Sequence, residues 1–131
     1  MNTKLLMTSS SILMGVLGII SSFFPKEVLL VFGQTPTLTL ILFVQIFGAL
    51  YFGFAIMNWM AKTLLIGGIY SKPLSIGNFA HFGIAGLALL KGSINGETTS
   101  KYIWVLTVIY ALFALSFAIV FFTNPKPKTS N

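Results

Sequence analysis

Four long apolar blocks, at 5–24, 38–61, 74–90 and 102–122, leave this chain few ways to fold. A helix rising about 1.5 Å per residue needs about 20 residues to cross about 30 Å of hydrocarbon. The first, second and fourth blocks meet that length. The third, of about 17 residues, is at the short end of the range, so it is expected to sit in a thinned region or to begin beyond Pro73. Barrel strands would be shorter and would alternate apolar with polar residues, unlike these blocks. Charged residues make up only 8% of the chain and hydrophobic ones 56%, whereas soluble domains carry about a quarter charged. A soluble chain of 131 residues has no interior large enough to hide that much apolar surface. The expected fold is an all-α integral membrane protein, a four-transmembrane-helix up-down-up-down bundle filling 1–124 as one domain. The Pro-rich polar segment 125–131 is expected to be a disordered cytoplasmic tail.

The formal net charge of +6 comes from lysines, with no arginine and no aspartate. Nucleic-acid surfaces cluster basic residues on one face. Here Lys4, Lys26, Lys62, Lys72, Lys91, Lys101, Lys126 and Lys128 instead punctuate the ends of the apolar blocks, as membrane flanks do. Nucleic acid is therefore excluded as a partner, and the lipid bilayer is the expected one. The N-terminus, the 62–73 loop and the tail carry five lysines and no acid. The 25–37 and 91–101 loops carry three lysines and both glutamates, Glu27 and Glu97. The excess of lysine places both termini in the cytoplasm of a bacterial inner membrane. The first block resembles a signal peptide, but cleavage after Ser21 or Ser22 would put Ile19 or Ile20 where a small residue is needed. It is expected to remain as a helix.

Two connecting segments are more than loops. The stretch PKEVLLVFG at 25–33 has Pro at a helix start, Glu27 in the first turn and Gly33 as a stop, so a short interfacial helix is expected. In KTLLIGGIYSKP the Gly67–Gly68 pair argues against a continuous helix, and the segment is expected to fold back into the headgroup region. Trp59, Lys62, Tyr70 and Trp104 are placed to anchor the chain at the interfaces.

Membrane helices associate through small residues and interhelical hydrogen bonds. The first block carries Ser11, Gly15, Gly18 and Ser22 on one seam, and the last carries Thr107, Ala111, Ala114 and Ala118 at the same spacing. The third has Asn78, His81, Ala85 and Ala88, and the second has Ala49 and Gly53 four apart. All four helices are therefore expected to pack inward in a compact left-handed bundle. At 1.5 Å per residue, Asn58 lies roughly 5 Å deep, Asn78 roughly 6 Å, Ser11 roughly 9 Å and His81 roughly 10 Å, and these four are expected to share one polar layer. Gln45, Thr107 and Ser22 form a second candidate set near the opposite boundary. Ser116 points away from the alanine seam and is expected to bond its own helix backbone.

His81 is the only histidine. An ionisable group inside a membrane is a functional candidate by default, as a proton acceptor or as a donor to a quinone or lipid headgroup. The plainer reading, which weighs more, is that a neutral imidazole bonds Asn78, Ser11 or Asn58 and fixes helix register. With no cysteine and a single histidine, neither a zinc site nor thiolate catalysis can be assembled. No aspartate exists to orient His81 beside a nucleophile. The glycines of GNFAHFGIAG do not match a dinucleotide loop, no Walker lysine motif is present, and no carboxylate lies within a block to carry protons.

The stretches FGALYFGFAIMNWMAK, GGIYSKP and GNFAHFGIAGLALLKG, spanning roughly 40–92 with a Gly-rich second helix and an HF pair in the third, look like a group of small bacterial inner-membrane proteins of four helices. In outline the chain is also similar to DoxX-like proteins, although it lacks the arginines of that family, and more distantly to the four-helix scaffold of sterol biosynthesis. The resemblance implies a small accessory membrane protein and assigns no residue a role. The leading expectation is thus a non-catalytic accessory or scaffold protein, without cofactor or metal, acting through contacts with a membrane-protein partner or a second copy. The alternative is a binder or carrier of a small amphipathic ligand, a quinone or lipid. It requires a cleft on the order of several hundred Å³ lined by His81 and aromatic residues such as Phe82 and Tyr51.

Overall fold

The computed structural model describes residues 2–64, 71–96 and 100–123. Tyr70, Glu97, the fold-back segment around Gly67–Gly68 and the 125–131 tail lie outside the described residues.

Five helices follow in order: α1 (Thr3–Phe23), α2 (Pro25–Val31), α3 (Leu38–Ala61), α4 (Lys72–Ile94) and α5 (Lys101–Thr123). All but α2 are long and apolar enough to cross a membrane. Local chemistry sets their ends. The Asn2 side chain accepts from the Leu5 N–H at 3.2 Å and Thr37 Oγ1 accepts from the Leu40 N–H at 3.2 Å, so each caps an orphan donor. The short helix α2 starts on Pro25, whose missing N–H costs nothing at that position. It ends as the glycine requires: Gly33 adopts φ 71°, Gly33 N–H donates to Leu30 O at 2.9 Å and Gln34 N–H to Leu29 O at 2.8 Å. This is the Schellman pattern, which a left-handed residue closes most cheaply when it is glycine.

One boundary differs from expectation. Helix α4 runs 23 residues, from Lys72 to Ile94, rather than about 17. Pro73 lies in its first turn, where proline is tolerated, and Lys91, Gly92 and Ser93 do not stop it. Ser93 Oγ bonds Leu89 O at 2.8 Å, which keeps the hydroxyl satisfied inside the helix. No thinned membrane is then needed.

The long helices pair as two antiparallel hairpins. The expected α1 seam faces α3: Ser11 Oγ donates to Ala55 O at 2.7 Å, and Gly15 faces the Ala55 methyl. At Gly18 and Gly48 the backbones touch. A Cβ on Gly18 would lie 2.8 Å from Phe52 N, and one on Gly48 would lie 2.7 Å from Ser22 N. The α3 side of this contact is therefore Gly48, Phe52 and Ala55, not the Ala49–Gly53 pair, which is exposed on the opposite face. Helices α4 and α5 pack differently, through rings: Phe82 stacks on Phe113 at 4.8 Å and Phe117 at 5.8 Å and meets Tyr110 edge-on at 5.1 Å. The buried stripe of α5 is Ile103, Thr107, Tyr110, Phe117 and Val120, and Ala111 of the expected alanine seam is exposed. Large side chains fill this interface, so of the expected seam Thr107 is buried, Ala114 packs at the edge of the core and Ala111 is left outside.

The four long helices form the expected all-α bundle, but its two hairpins are not packed closely along their whole length. No Cα of α3 comes within 8 Å of a Cα of α4, and α1 meets α5 only briefly. We call the end holding Thr3, Ala61, Lys72 and Thr123 the base, and the opposite end the mouth. Met7 and Met14 of α1 and Phe82, Phe117 and Val120 of the second hairpin fuse into one buried cluster toward the base. Toward the mouth the hairpins separate, and α2 packs on α1 and α3 there. Outward-facing Ile12, Leu42, Phe43, Leu50, Leu112 and Leu115 give the exterior the apolar surface a lipid environment demands.

The backbone contact predicts a position-specific response. Gly48→Ala should cost about 1–3 kcal/mol, because neither backbone can yield without moving the helix. Gly53→Ala, with nothing within 4 Å of the new methyl, should change stability by less than about 0.5 kcal/mol. Equilibrium unfolding in mixed detergent micelles reads both.

Candidate functional site

Two asparagines tie the hairpins together at the base. Asn58 Nδ2 donates to Asn78 Oδ1 at 2.7 Å, and Asn78 Nδ2 donates back to Asn58 Oδ1 at 2.8 Å. Both side chains are fully buried. Each primary amide has two N–H donors, and all four are used. The remaining Asn58 donor reaches Ser10 Oγ at 3.1 Å, and the remaining Asn78 donor reaches Leu74 O at 3.0 Å. Ser10 in turn donates to Met7 O at 3.0 Å. A network this complete, in hydrocarbon, holds α1, α3 and α4 in one register.

The expected layer is thus half right. Asn58 and Asn78 meet as anticipated. Ser11 does not join them, because its hydroxyl is committed to Ala55 O across the α1–α3 seam. Its place is taken by Ser10, fully buried on a neighbouring stripe with Met7 and Met14. That i, i+3, i+7 pattern was the available signal in the sequence; the stronger glycine seam drew attention to Ser11.

His81 also stands outside the layer. It lies one turn nearer the mouth, inside a ring of aromatic side chains: Phe54 and Phe82 at 5.1 Å, Tyr51 at 5.6 Å and Tyr110 at 5.7 Å between centroids. Its Nε2 is buried and has no hydrogen-bond partner among the described residues. Three positions along a helix change direction by about 60°, enough to turn His81 off the Asn78 stripe and toward the gap between the hairpins.

Directly toward the mouth from this aromatic group, the gap widens into a cleft of about 830 Å³. Its walls come from all five helices: Leu17 and Ile20, Val28 and Phe32, Phe47 and Tyr51, Ala85 and Ala88, Leu106 and Tyr110. Ala85, Ala88 and Gly92 share one side of α4, so the small-residue stripe read as a packing seam faces empty space instead. Tyr51 lines the cleft as the ligand-binding expectation required. His81 and Phe82 do not; they lie behind its floor. Tyr110, which forms the floor with Tyr51, was not anticipated, because its i−3 and i+4 neighbours Thr107 and Ala114 suggested a small seam.

The second polar set divides. Gln45 Nε2 donates to the Ser22 carbonyl at 3.4 Å on the exposed rim of the first hairpin. Thr107 belongs to the other hairpin, where its hydroxyl donates to Ile103 O at 2.7 Å and lies 3.2 Å from Ser93 Oγ. The separation of the hairpins at the mouth is what keeps these groups apart. Ser116 bonds Leu112 O at 2.8 Å, as expected of an i−4 back-bond. Lys62 Nζ sits 3.0 Å over the Trp59 ring at the base, and Trp104 is exposed in the first turn of α5 at the mouth. Both arrangements suit side chains at a membrane–water boundary.

Comparison with family models, with curated proteins and with solved structures finds no match to this chain.

The amide pair makes a thermodynamic prediction. Asn58→Leu orphans the buried Asn78 amide and should cost about 1–3 kcal/mol. Asn58→Leu with Asn78→Leu should cost less than the sum of the singles, with a coupling of about 0.6–1.7 kcal/mol. A double-mutant cycle measures this, and strictly additive singles would contradict the pairing.

Proposed function

We propose that the protein is a non-catalytic multi-pass protein of the bacterial inner membrane that holds a small hydrophobic molecule between its two hairpins. The observation that carries this reading is the cleft. Its volume of about 830 Å³ falls in the range of ligand sites, about 300–1,000 Å³. Its walls are almost wholly hydrocarbon and aromatic, and it narrows onto two tyrosines. Among the described residues, Glu27 on α2 is the only charged side chain on its walls, and it stands at the mouth. Such a cavity favours a neutral, apolar body over a charged one. The lysine excess on the 62–73 loop and both termini supports a cytoplasmic base and a cleft that opens toward the outer face.

The accessory-protein reading keeps one support. Ala49 and Gly53 are exposed on the outer face of α3, where small residues would let another helix approach. Among the described residues nothing covers that face, whereas the cleft is lined by all five helices, and that supports ligand holding over the accessory reading.

Ala88→Trp tests it. The indole would project into the cleft from its α4 wall and fill it without touching the amide network. In mild detergent the wild type should retain a co-purifying hydrophobic molecule by native mass spectrometry, and the folded variant should lose most of it. Wild type that emerges with a protein partner and no small molecule would favour the accessory reading instead.

A further inference from the structure

The floor of the cleft has a chemistry of its own. Tyr51 and Tyr110 each stand near the middle of a long helix, roughly 14–20 Å from its ends by helical rise. Phenolic groups at that depth are costly unless they find partners. Tyr51 and Tyr110 both line the cleft, and each phenol carries an O–H that can donate. Behind them His81 packs against both rings, with Nε2 unpartnered among the described residues. The floor therefore offers phenolic O–H donors, while the walls above it, such as Leu17, Phe47, Leu89 and Leu106, offer only carbon.

We infer that the Tyr51–Tyr110 floor is a binding site for the carbonyl oxygen of a neutral hydrophobic ligand, whose apolar body lies along the cleft toward α2. The inference rests on the ligand-holding function and names the class of molecule. A carbonyl oxygen carries two lone pairs and no proton, so it accepts without bringing a donor that needs a partner of its own. An anionic headgroup would lie at mid-membrane with no cation among the described residues of the cleft walls to meet it. A plain hydrocarbon chain would leave the floor donor unsatisfied.

The test uses full-length protein in phosphatidylcholine nanodiscs, with 9-heptadecanone carrying a carbon-13 carbonyl as the probe and n-heptadecane as the matched hydrocarbon. Wild type should show a ketone carbonyl stretch at lower wavenumber than in protein-free nanodiscs, from the hydrogen-bonded population. Tyr51→Phe with Tyr110→Phe keeps the shape of the cleft and should abolish that band, weaken ketone binding about tenfold and leave heptadecane binding unchanged. If the double variant does not fold, each single Tyr→Phe variant should reduce the band on its own. A shifted band that survives in the folded Phe variants overturns the site. Equal binding of ketone and alkane with no shifted band in wild type overturns the carbonyl inference and leaves the ligand-holding function standing. Wild type that binds neither probe removes both.

Discussion

The reciprocal amide pair between Asn58 and Asn78 is the interaction on which the rest of the molecule depends. Helices α3 and α4 have no close backbone approach, so nothing like the glycine contact of α1 and α3 joins the hairpins. In lipid there is little hydrophobic force to press two apolar hairpins together. Side-chain hydrogen bonds and the cluster around Met7, Met14, Phe82 and Phe117 supply the cohesion instead. Because these lie toward the base, the hairpins are held at one end and diverge at the other. The cleft follows from that asymmetry.

Each hairpin is built by a different kind of fit. In the first, Gly18 and Gly48 bring two backbones into contact, and any added carbon would collide with main-chain atoms. In the second, Phe82, Tyr110, Phe113 and Phe117 interlock as rings. The close backbone pair makes the first hairpin stiff and leaves α3 free to present Phe47 and Tyr51 to the gap. The ring-packed pair holds Tyr110 and positions His81 beside it. The candidate site therefore lies where two unlike packing surfaces face each other without meeting.

Much of this was legible in the chain. Block length and the lysine flanks give four spanning helices, and the Pro25–Gly33 pattern gives α2 with its glycine stop. The Ser11–Gly15–Gly18–Ser22 seam also faces the partner that helix chemistry requires. The errors share a cause. Ala49–Gly53, the α5 alanines and Ala85–Ala88 all have the spacing of packing seams, yet the first pair faces outward, the α5 set is split between an exposed Ala111 and a core-packed Ala114, and the third lines a cleft. Spacing tells which residues share a face, and says nothing of whether a neighbour covers it. His81 was drawn into the asparagine layer by its place on the Asn78 seam and by depth, though a turn of about 60° aims it elsewhere.

Composition and periodicity by themselves determined that the chain is an all-helical, membrane-crossing object, because hydrocarbon thickness and backbone hydrogen bonding allow few alternatives to an apolar block of that length. Which asparagine met which donor, and that a cavity rather than a core lay above them, only the tertiary structure decided. Those outcomes depend on how two hairpins lean against each other. That angle is set by a few side-chain contacts between distant parts of the chain, and no local pattern of residues encodes it.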